Sequence, residues 1–274
     1  MLAQPIEKTE SLPSASDKSA RGVAIVTGGR RGIGRAICSE LGAAGFDIAM
    51  VDIADDESSN ETMKIIRSFG GRSAFFRRDV ADTPGHRDFV SEIEDKLGAI
   101  TCLVNNAGVQ VAIRGDLLDV TEHAFDHLMN VNLRGTFFFT QAVARRMASQ
   151  TSTGAERSLI TITSANAGLV SPEKGPYCIS KAGLSMASQQ FALRLADAGI
   201  RVHEIRPGLI QTDMTAEVFD KYSGPIEAGA LSAMRRWGQP GEIAKCVGAL
   251  ATGAIPFSTG DIFHIGGGMQ IHRL

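Results

Sequence analysis

The feature that most constrains this chain is a regular alternation between short apolar runs and helix-length amphipathic stretches. Strands separated by helices run parallel, because each crossover helix returns the chain to the same end of the sheet. Such a sheet is covered on both faces, which agrees with strands that are apolar throughout. The predicted strands are 23–26, 48–51, 74–76, 103–104, 159–163, 202–205 and 262–265, and the predicted helices are 33–44, 58–69, 87–97, 124–148, 177–198 and 242–251.

This pattern predicts an α/β fold: a single-domain, Rossmann-type, doubly wound parallel sheet of about seven strands with helices on both faces. The chain has 274 residues, and neither an internal repeat nor a change of composition divides residues 21–274. We therefore expect one domain over 21–274. Residues 1–20 are polar and rich in serine and proline, without the apolar core of a signal peptide, so we expect a flexible tail there.

Charge and composition exclude several classes of function. The chain has 28 Lys plus Arg against 30 Asp plus Glu, a net charge of −2, whereas nucleic-acid-binding proteins usually carry a basic face. A transmembrane helix needs about 20 consecutive apolar residues, and the chain has no uncharged apolar run of that length. We therefore expect that the protein binds neither nucleic acid nor a membrane. The four cysteines are far apart and form no CxxC pair, which is typical of reduced thiols in a cytoplasmic protein and predicts no metal site.

The first predicted strand runs directly into a glycine-rich segment, Thr-Gly-Gly-Arg-Arg-Gly-Ile-Gly at 27–34. Gly28, Gly32 and Gly34 fall where a strand-to-helix turn needs positive φ and a close approach of the backbone to a pyrophosphate. The following helix presents unpaired N–H groups and the positive end of its dipole to such phosphates. The segment therefore predicts a dinucleotide site. The alternative is an ordinary tight turn.

Asp52 closes the second predicted strand, 18 residues after Gly34. This is near the spacing of about 20 residues at which an acid binds the adenosine ribose hydroxyls. A carboxylate there repels the 2′-phosphate of NADP, so we predict NAD as the preferred cofactor. Two alternatives stay open: Asp52 is a solvated loop acid like its neighbour Asp55, or Arg31 holds a 2′-phosphate and the cofactor is NADP.

Tyr177 and Lys181 are four residues apart, so on a helix their side chains share one face. A free tyrosine has a pKa of about 10 and is a poor base at neutral pH. An ammonium about 4 Å away supplies about 4 kcal/mol at an effective dielectric constant near 20, enough to lower that pKa by two to three units. The pair is therefore a candidate for proton transfer. The alternative is a surface pair, which is common on helices.

Two further polar residues occupy informative places. Ser164 follows the fifth predicted strand, and ligands of open parallel sheets bind at the carboxyl ends of strands. A hydroxyl there can stabilise charge on a substrate oxygen; the alternative is a turn serine. Asn132 falls inside a predicted helix although asparagine is a mediocre helix former, and the alternative to a functional role is a buried structural amide.

Taken in order, these motifs resemble those of the short-chain dehydrogenase/reductase family, from Arg21 to the C-terminus. The matching residues are Thr-Gly-x-x-x-Gly-x-Gly from Thr27 to Gly34, Asn-Asn-Ala-Gly from Asn105 to Gly108, Ser164, Tyr177-x-x-x-Lys181, and Pro207-Gly208 followed by Thr212.

The resemblance implies hydride transfer between a nicotinamide cofactor and a carbonyl or secondary alcohol. It makes Tyr177 the general acid/base and Ser164 the group that polarises the carbonyl. Lys181 would bind the nicotinamide ribose and lower the tyrosine pKa, and Asn132 would hold a water in a proton relay. The implied cofactor-binding residues are Gly28, Arg30, Arg31, Gly32, Ile33, Gly34, Asp52, Ile53, Asp79, Val80, Asn106, Ala107, Gly108, Tyr177, Lys181, Pro207, Gly208, Ile210 and Thr212.

The substrate is less constrained. The pattern resembles 3-oxoacyl-carrier-protein reductases and equally NAD-dependent polyol or sugar dehydrogenases; Asp52 favours the second group, because fatty-acid synthesis usually draws on NADPH. The segment Glu204-Ile205-Arg206 departs from the small or apolar residues usual in the first group. Residues 212–237 should cover the substrate as a mobile lid, or else form a plain surface helix pair.

Two alternatives lie outside this chemistry: a non-catalytic nucleotide-sensing regulator, against which the intact Ser164, Tyr177 and Lys181 argue, and a lyase or epimerase that retains its nicotinamide. The expected partners are a small carbonyl or alcohol substrate and, as a second candidate, an acyl carrier protein. The resemblance also implies a homotetramer, with helices 124–148 and 177–198 at the dimer seam.

Overall fold

The fold centres on one sheet of seven strands. The computed structural model describes residues 21–150 and 154–271, so the predicted tail at 1–20 lies outside the described residues. The strands are β1 (Val23–Thr27), β2 (Asp47–Asp52), β3 (Ser73–Arg77), β4 (Ile100–Asn105), β5 (Ser158–Ile162), β6 (Arg201–Pro207) and β7 (Ile262–Ile265). Their order is β3-β2-β1-β4-β5-β6-β7, and every pairing is parallel. The predicted doubly wound sheet is confirmed.

Eight α-helices within the described residues cover this sheet. They are α1 (Gly32–Ala43), α2 (Glu57–Arg67), α3 (His86–Leu97), α4 (Glu122–Met129), α5 (Thr136–Ser149), α6 (Gly175–Leu195), α7 (Phe219–Glu227) and α8 (Pro240–Ala251). The order β3-β2-β1-β4 reverses direction at β1, which places the carboxyl ends of β1 and β4 at the crevice where such sheets bind ligands.

The sheet separates two apolar cores. Val23 and Ile25 of β1 pack in a cluster with residues of α3, α5 and α6. Ala24 and Val26 pack in a second cluster with residues of α1, α2 and α8. Because successive side chains of a strand point to opposite faces, one strand contributes to both cores. This explains why the strands read as continuous apolar runs.

One predicted element is wrong. Instead of a single helix over 124–148, α4 and α5 are separated by a π-helical segment, Asn130–Gly135. Asn132 uses its side-chain amide to bond the backbone of Val109, accepting from the N–H at 2.8 Å and donating to the carbonyl at 2.9 Å. A π-helical turn is wider than an α-helical one and is common at functional sites. Here it accommodates Asn132, whose side-chain amide is hydrogen-bonded to the loop after β4.

Three further observations concern membrane-spanning helices, thiols and metal binding. Among the helices described, none combines the length and apolar character that crossing a bilayer demands. All four cysteines carry free thiols. Within residues 21–150 and 154–271, no cluster of three or more His, Cys, Asp or Glu side chains could hold a metal ion.

Candidate active site

The glycine-rich turn joins β1 to α1 with a backbone that only glycine adopts easily. Gly28 has φ +65° and Gly32 has φ +54°, both in the left-handed region. A Cβ on Gly34 would overlap the carbonyl oxygen of Gly28, so the turn closes tightly against the helix. The helix begins after Arg31, and no described side chain caps its N-terminus. The cradle and the uncapped N–H groups together fit a pyrophosphate.

Asp52 is held at the edge of this turn by backbone and side-chain contacts. Its carboxylate accepts hydrogen bonds from the N–H of Arg30 at 3.2 Å and of Ile53 at 2.9 Å. The Arg30 Nε lies 3.5 Å from the same carboxylate, and Arg30 Nη1 also pairs with Asp56. Arg31, weighed above as a phosphate ligand, instead pairs with Asp213 at 3.2 Å in an exposed position. The arginine beside Asp52 is therefore Arg30.

The carboxyl end of β4 is fastened to the glycine-rich turn. The Thr27 hydroxyl accepts from the N–H groups of Asn106 at 3.0 Å and Ala107 at 3.1 Å. The Asn106 side chain donates in return to the carbonyls of Thr27 and Gly28. A Cβ on Gly108 would lie 3.2 Å from Asn132 Oδ1 and 3.5 Å from Lys181 Nζ. Gly108 thus connects the predicted cofactor side with the predicted catalytic side.

The remaining candidate cofactor residues occupy the rim of the same edge. Asp79, after β3, is exposed and accepts from the N–H of Ala81, whereas Val80 is buried. Gly208, after β6, lies so close to β7 that a Cβ would be 2.6 Å from Gly266 Cα. The remaining positions differ in exposure: Ile33 packs against the core, Ile53 is exposed, Pro207 and Ile210 are buried, and Thr212 begins a 3₁₀ segment, Asp213–Val218.

Ser164 and Tyr177 meet at the carboxyl end of β5. Ser164 lies two residues beyond the strand and accepts from the N–H of Asn166 at 3.1 Å. Tyr177 lies in the first turn of α6, and the Ser164 hydroxyl is close enough to influence the pKa of its phenol. Burial raises the pKa of Tyr177, and the nearby Ser164 hydroxyl partly offsets that rise. The two hydroxyls can therefore contact one substrate oxygen together.

Lys181 follows Tyr177 by one turn of α6 and is buried. Its Nζ donates to the Ile162 carbonyl at 3.2 Å and lies 5.7 Å from the centroid of the Tyr177 ring. Burial lowers the pKa of Lys181 to about 8, against the opposing effect of the nearby Glu204 carboxylate. In this structure, burial controls both pKa values, so the lowering of the tyrosine pKa by Lys181 stays a prediction.

Asn132 is fully buried, and its Nδ2 also lies 3.2 Å from the Ser180 hydroxyl of α6. The π-helical segment is thereby tied both to the loop after β4 and to the helix that carries Tyr177 and Lys181. The structure thus brings all four predicted catalytic residues to one edge of the sheet.

Sequence reasoning missed a buried polar network behind Lys181. The Glu204 carboxylate accepts from the hydroxyls of Thr163 at 2.6 Å and Ser185 at 2.7 Å, and it pairs with Arg206 at 2.6 Å. Arg206 also donates to Ser185 at 2.7 Å. The only sequence signal was the unusual Glu204-Ile205-Arg206 segment, since the three partners come from β6, α6 and the end of β5.

The predicted cover of the substrate side is a 3₁₀ segment followed by α7. Trp237 is buried beneath it, stacking on Phe219 with ring centroids 5.1 Å apart and donating from Nε1 to the Ser223 hydroxyl at 2.9 Å. These contacts tie Trp237, at the end of the predicted segment 212–237, to α7. Its mobility as a lid stays a prediction.

Comparisons with known proteins agree with this geometry. Residues 28–270 match the family model described as "Enoyl-(Acyl carrier protein) reductase". The chain is 32% identical over 251 residues to the 3-oxoacyl-[acyl-carrier-protein] reductase of Staphylococcus aureus, covering 90% of this chain and 98% of that protein. It is 33% identical over 257 residues to the L-2,3-butanediol dehydrogenase of Corynebacterium glutamicum, with coverage of 90% and 98%.

A solved structure is closer in sequence: the 3-oxoacyl-[acyl-carrier protein] reductase of Brucella melitensis in complex with NAD. It is 47% identical, with a TM-score of 0.89 over 93% of this chain and 99% of that one. The chain belongs to the short-chain dehydrogenase/reductase family. It is an oxidoreductase that acts on CH–OH or carbonyl groups with a nicotinamide cofactor, so the predicted family and enzyme class are confirmed.

Proposed function

We propose that this enzyme uses NAD(H) to interconvert a carbonyl compound and the corresponding secondary alcohol, with Ser164, Tyr177, Lys181 and Asn132 as its catalytic residues. The observation that carries the proposal is the placement of the Ser164 hydroxyl near the phenol of Tyr177, which lies one helical turn before the buried Lys181. This group lies at the carboxyl edge of the sheet, and the segment 106–108 connects it to the glycine-rich turn at Gly28.

The residues divide the work of carbonyl reduction. Ser164 donates a hydrogen bond to the carbonyl oxygen and stabilises the charge that develops there. Tyr177 gives its phenolic proton to that oxygen and takes it back in the oxidative direction. Lys181 carries the positive charge that favours the phenolate, and Asn132 holds the loop at Val109 in place. The bound nicotinamide supplies or accepts the hydride.

NAD is favoured over NADP by the position of Asp52. Its carboxylate closes β2 beside the glycine-rich turn, where it would bind ribose hydroxyls and repel a 2′-phosphate. The Brucella melitensis reductase, 47% identical, was solved with NAD. NADP is the weaker candidate, and it would depend on Arg30 turning away from Asp52.

Two substrate classes are supported by named relatives. The Staphylococcus aureus and Brucella melitensis relatives favour a 3-oxoacyl thioester, and with it an acyl carrier protein as partner. The butanediol dehydrogenase and Asp52 favour a polyol or sugar. We propose the 3-oxoacyl class as the first to test, a homotetramer as the assembly, and residues 21–274 as one catalytic domain. A cytoplasmic location stays a prediction.

The test is a spectrophotometric screen with NADH and NADPH against acetoacetyl thioesters, and with NAD against polyols and sugars. Replacing Tyr177 by Phe removes the transferable proton but keeps the ring, so we expect kcat to fall by about 10²–10⁴-fold. NADH binding, followed by fluorescence, should persist in Tyr177→Phe and serves as the control for folding. Equal activity of the variant and the wild type would contradict the proposed role.

A further inference from the structure

A lysine outside the family motif lies against the catalytic tyrosine. Lys174 immediately precedes α6, and its Nζ is 5.6 Å from the centroid of the Tyr177 ring. The ammonium donates to Asn166 Oδ1 at 2.9 Å, and Asn166 belongs to the 3₁₀ turn that Ser164 caps. Lys174 is thus held beside the Tyr177 ring, with a neutral amide as its hydrogen-bond partner rather than a carboxylate.

A second cation comes to the same place from the loop after β4. The N–H of Gly115 donates to the Glu173 carbonyl at 3.3 Å, which fixes this loop against the segment before α6. The adjacent Arg114 guanidinium adds to the lowering of the Lys174 pKa, which is mainly due to burial, and slightly opposes the rise of the Tyr177 pKa. Its Nη1 is buried and has no hydrogen-bond partner among the described residues. Two positive groups therefore converge beside one phenol.

The local carboxylates form no ion pair with these two cations in the described part of the chain, although Glu173 is near enough for Arg114 and Lys174 to contribute to the lowering of its pKa. Glu173 forms its ion pair with Lys221 at 3.0 Å, on the exposed side of the segment. The Asp116 side chain accepts from the N–H of Leu118, as the cap of a 3₁₀ turn. No ion pair found within residues 21–150 and 154–271 includes Arg114 or Lys174. Like charges close together in a half-buried place are unfavourable unless an anion joins them.

We propose that Arg114 and Lys174 bind an anionic group of the substrate, a carboxylate or a phosphate, close to the carbonyl that reacts. A guanidinium offers a planar fork of donors to such a group, and an ammonium adds a point charge. The contact with the Tyr177 ring limits the anion to a few bonds from the reacting carbon. A phosphate at the far end of a pantetheine arm does not meet that limit.

This inference rests on the proposed interconversion of a carbonyl and a secondary alcohol, and it selects a substrate class other than the 3-oxoacyl thioesters proposed for the first test. It favours short oxo or hydroxy acids, or small phosphorylated ketones and alcohols, over uncharged polyols and simple ketones. The substrate class is set by two side chains from loops, whereas the chemistry is set by residues at the ends of β5 and in α6.

The experiment compares matched charged and uncharged substrates with NADH. Acetoacetate is paired with methyl acetoacetate for the carboxylate, and dihydroxyacetone phosphate with dihydroxyacetone for the phosphate. We expect wild-type kcat/KM to be at least about tenfold higher for one anion than for its uncharged partner, since hydrogen bonds to charged groups are the stronger ones. The pair that shows the preference identifies the anion.

The variants are Lys174→Met and Arg114→Met, which keep much of the apolar stem and remove the charge. Each should reduce the anion-to-neutral ratio of kcat/KM by about 10- to 100-fold, mostly through KM. Lys174→Arg should retain most of the preference. The control is Lys64→Met, an exposed lysine of α2, which should leave the ratio unchanged. A wild type that reduces the panel without preference for either anion, or a ratio unchanged in both variants, overturns the proposal.

A binding measurement separates this proposal from the proposed function. With the NADH-loaded enzyme, malonate or inorganic phosphate should raise the Tm of the wild type and not that of Lys174→Met. If the enzyme reduces no member of the panel but keeps this stabilisation, the anion site stands and the proposed substrate class fails. If the esters are reduced and Tyr177→Phe abolishes that activity, but neither anion stabilises the wild type, the anion site fails and the proposed function stands.

Discussion

Lys181 brings a positive charge into a buried position, and burial there opposes its protonation. The pKa of Lys181 is about 8 in the folded protein, whereas an unfolded lysine titrates near 10.4. Between these two values the unfolded chain binds more protons than the folded one, so the contribution of Lys181 to stability rises with pH. Below about pH 8 the buried ammonium carries its full cost. The site therefore holds its charge at the expense of stability, as functional sites often do.

We predict that Lys181→Met unfolds at higher urea concentration than the wild type at pH 7, despite losing the bond to the Ile162 carbonyl. This advantage should shrink by roughly 2–3 kcal/mol between pH 7.5 and pH 10, because each pKa unit corresponds to about 1.4 kcal/mol. Urea titrations at fixed protein concentration measure the change, with Lys64→Met as a control that should follow the wild type at both pH values. A difference independent of pH would show that the folded pKa is not lowered.

Asp52 provides a second prediction at the residue scale. Asp52→Ala removes the carboxylate that would repel a 2′-phosphate and frees Arg30, so the ratio of kcat/KM for NADPH to that for NADH should rise by about tenfold or more, or ~1.4 kcal/mol. Asp56→Ala is the matched control: it also frees Arg30 from an ion pair, but leaves the carboxylate at the end of β2 in place. A ratio unmoved by Asp52→Ala would remove Asp52 as the selector.

Individual residues were predictable where chemistry depends on spacing along one element. Tyr177 and Lys181 share a helix, so four residues fix their common face. The contacts of Arg30 and most contacts of Glu204 were not predictable, because the partners come from other elements; only Arg206 lies in the same strand as Glu204. Nothing in the sequence distinguishes Arg30 from Arg31 as the neighbour of Asp52. Only the turn geometry does so.

At the scale of elements, the π-helical segment between α4 and α5 is the least regular part of the site. Gly135, at its end, packs against the loop after β3 so closely that a Cβ would overlap the Val80 carbonyl oxygen. The backbone of Val80 cannot move freely, since the side chain is buried. Close packing at Gly135 therefore fixes one end of the segment, and the Asn132 amide fixes its middle.

We predict that Gly135→Ala lowers the free energy of unfolding by about 1–3 kcal/mol or more, as overpacking in a filled interior does. It should also reduce kcat, because the shift needed to relieve the overlap displaces Asn132. Gly241→Ala in α8 is the control: a Cβ there meets nothing within 4 Å, so stability should stay the same or rise by up to about 1 kcal/mol. Equal effects of the two substitutions would contradict the packing argument.

The elements themselves followed from the sequence because their signals are local. The periodicity of apolar residues, the β-branched content and the turn residues predicted all seven strands and nearly all helices. The interruption at Asn130–Gly135 did not follow, because it depends on a bond from Asn132 to Val109, 23 residues away in the chain. Local propensity only marked Asn132 as unusual in a helix.

At the scale of the whole molecule, α6 leaves an apolar stripe uncovered. Ile179, Met186 and Leu193 are spaced by seven residues, so they share one face of the helix, and they are 49%, 56% and 81% exposed. Phe138 of α5 is also exposed. A helix face of this kind is typical of a protein interface. It agrees with the proposal that α5 and α6 form the seam between two copies of the chain.

The stripe can be tested by placing charges on it. In Met186→Glu combined with Leu193→Glu, two carboxylates would have to be desolvated in the proposed seam, at a cost of several kcal/mol that an interface does not easily offset. Sedimentation velocity should show a tetramer for the wild type and smaller species for the double variant. Ile65→Glu, which puts a charge on an exposed apolar position of α2, should remain tetrameric. A double variant that stays tetrameric would place the seam elsewhere, and a monomeric wild type would refute the proposed assembly. Because α6 also carries Tyr177 and Lys181, the kcat of the double variant is informative. If the dissociated variant also has a lower kcat than the wild type, the seam supports the catalytic helix.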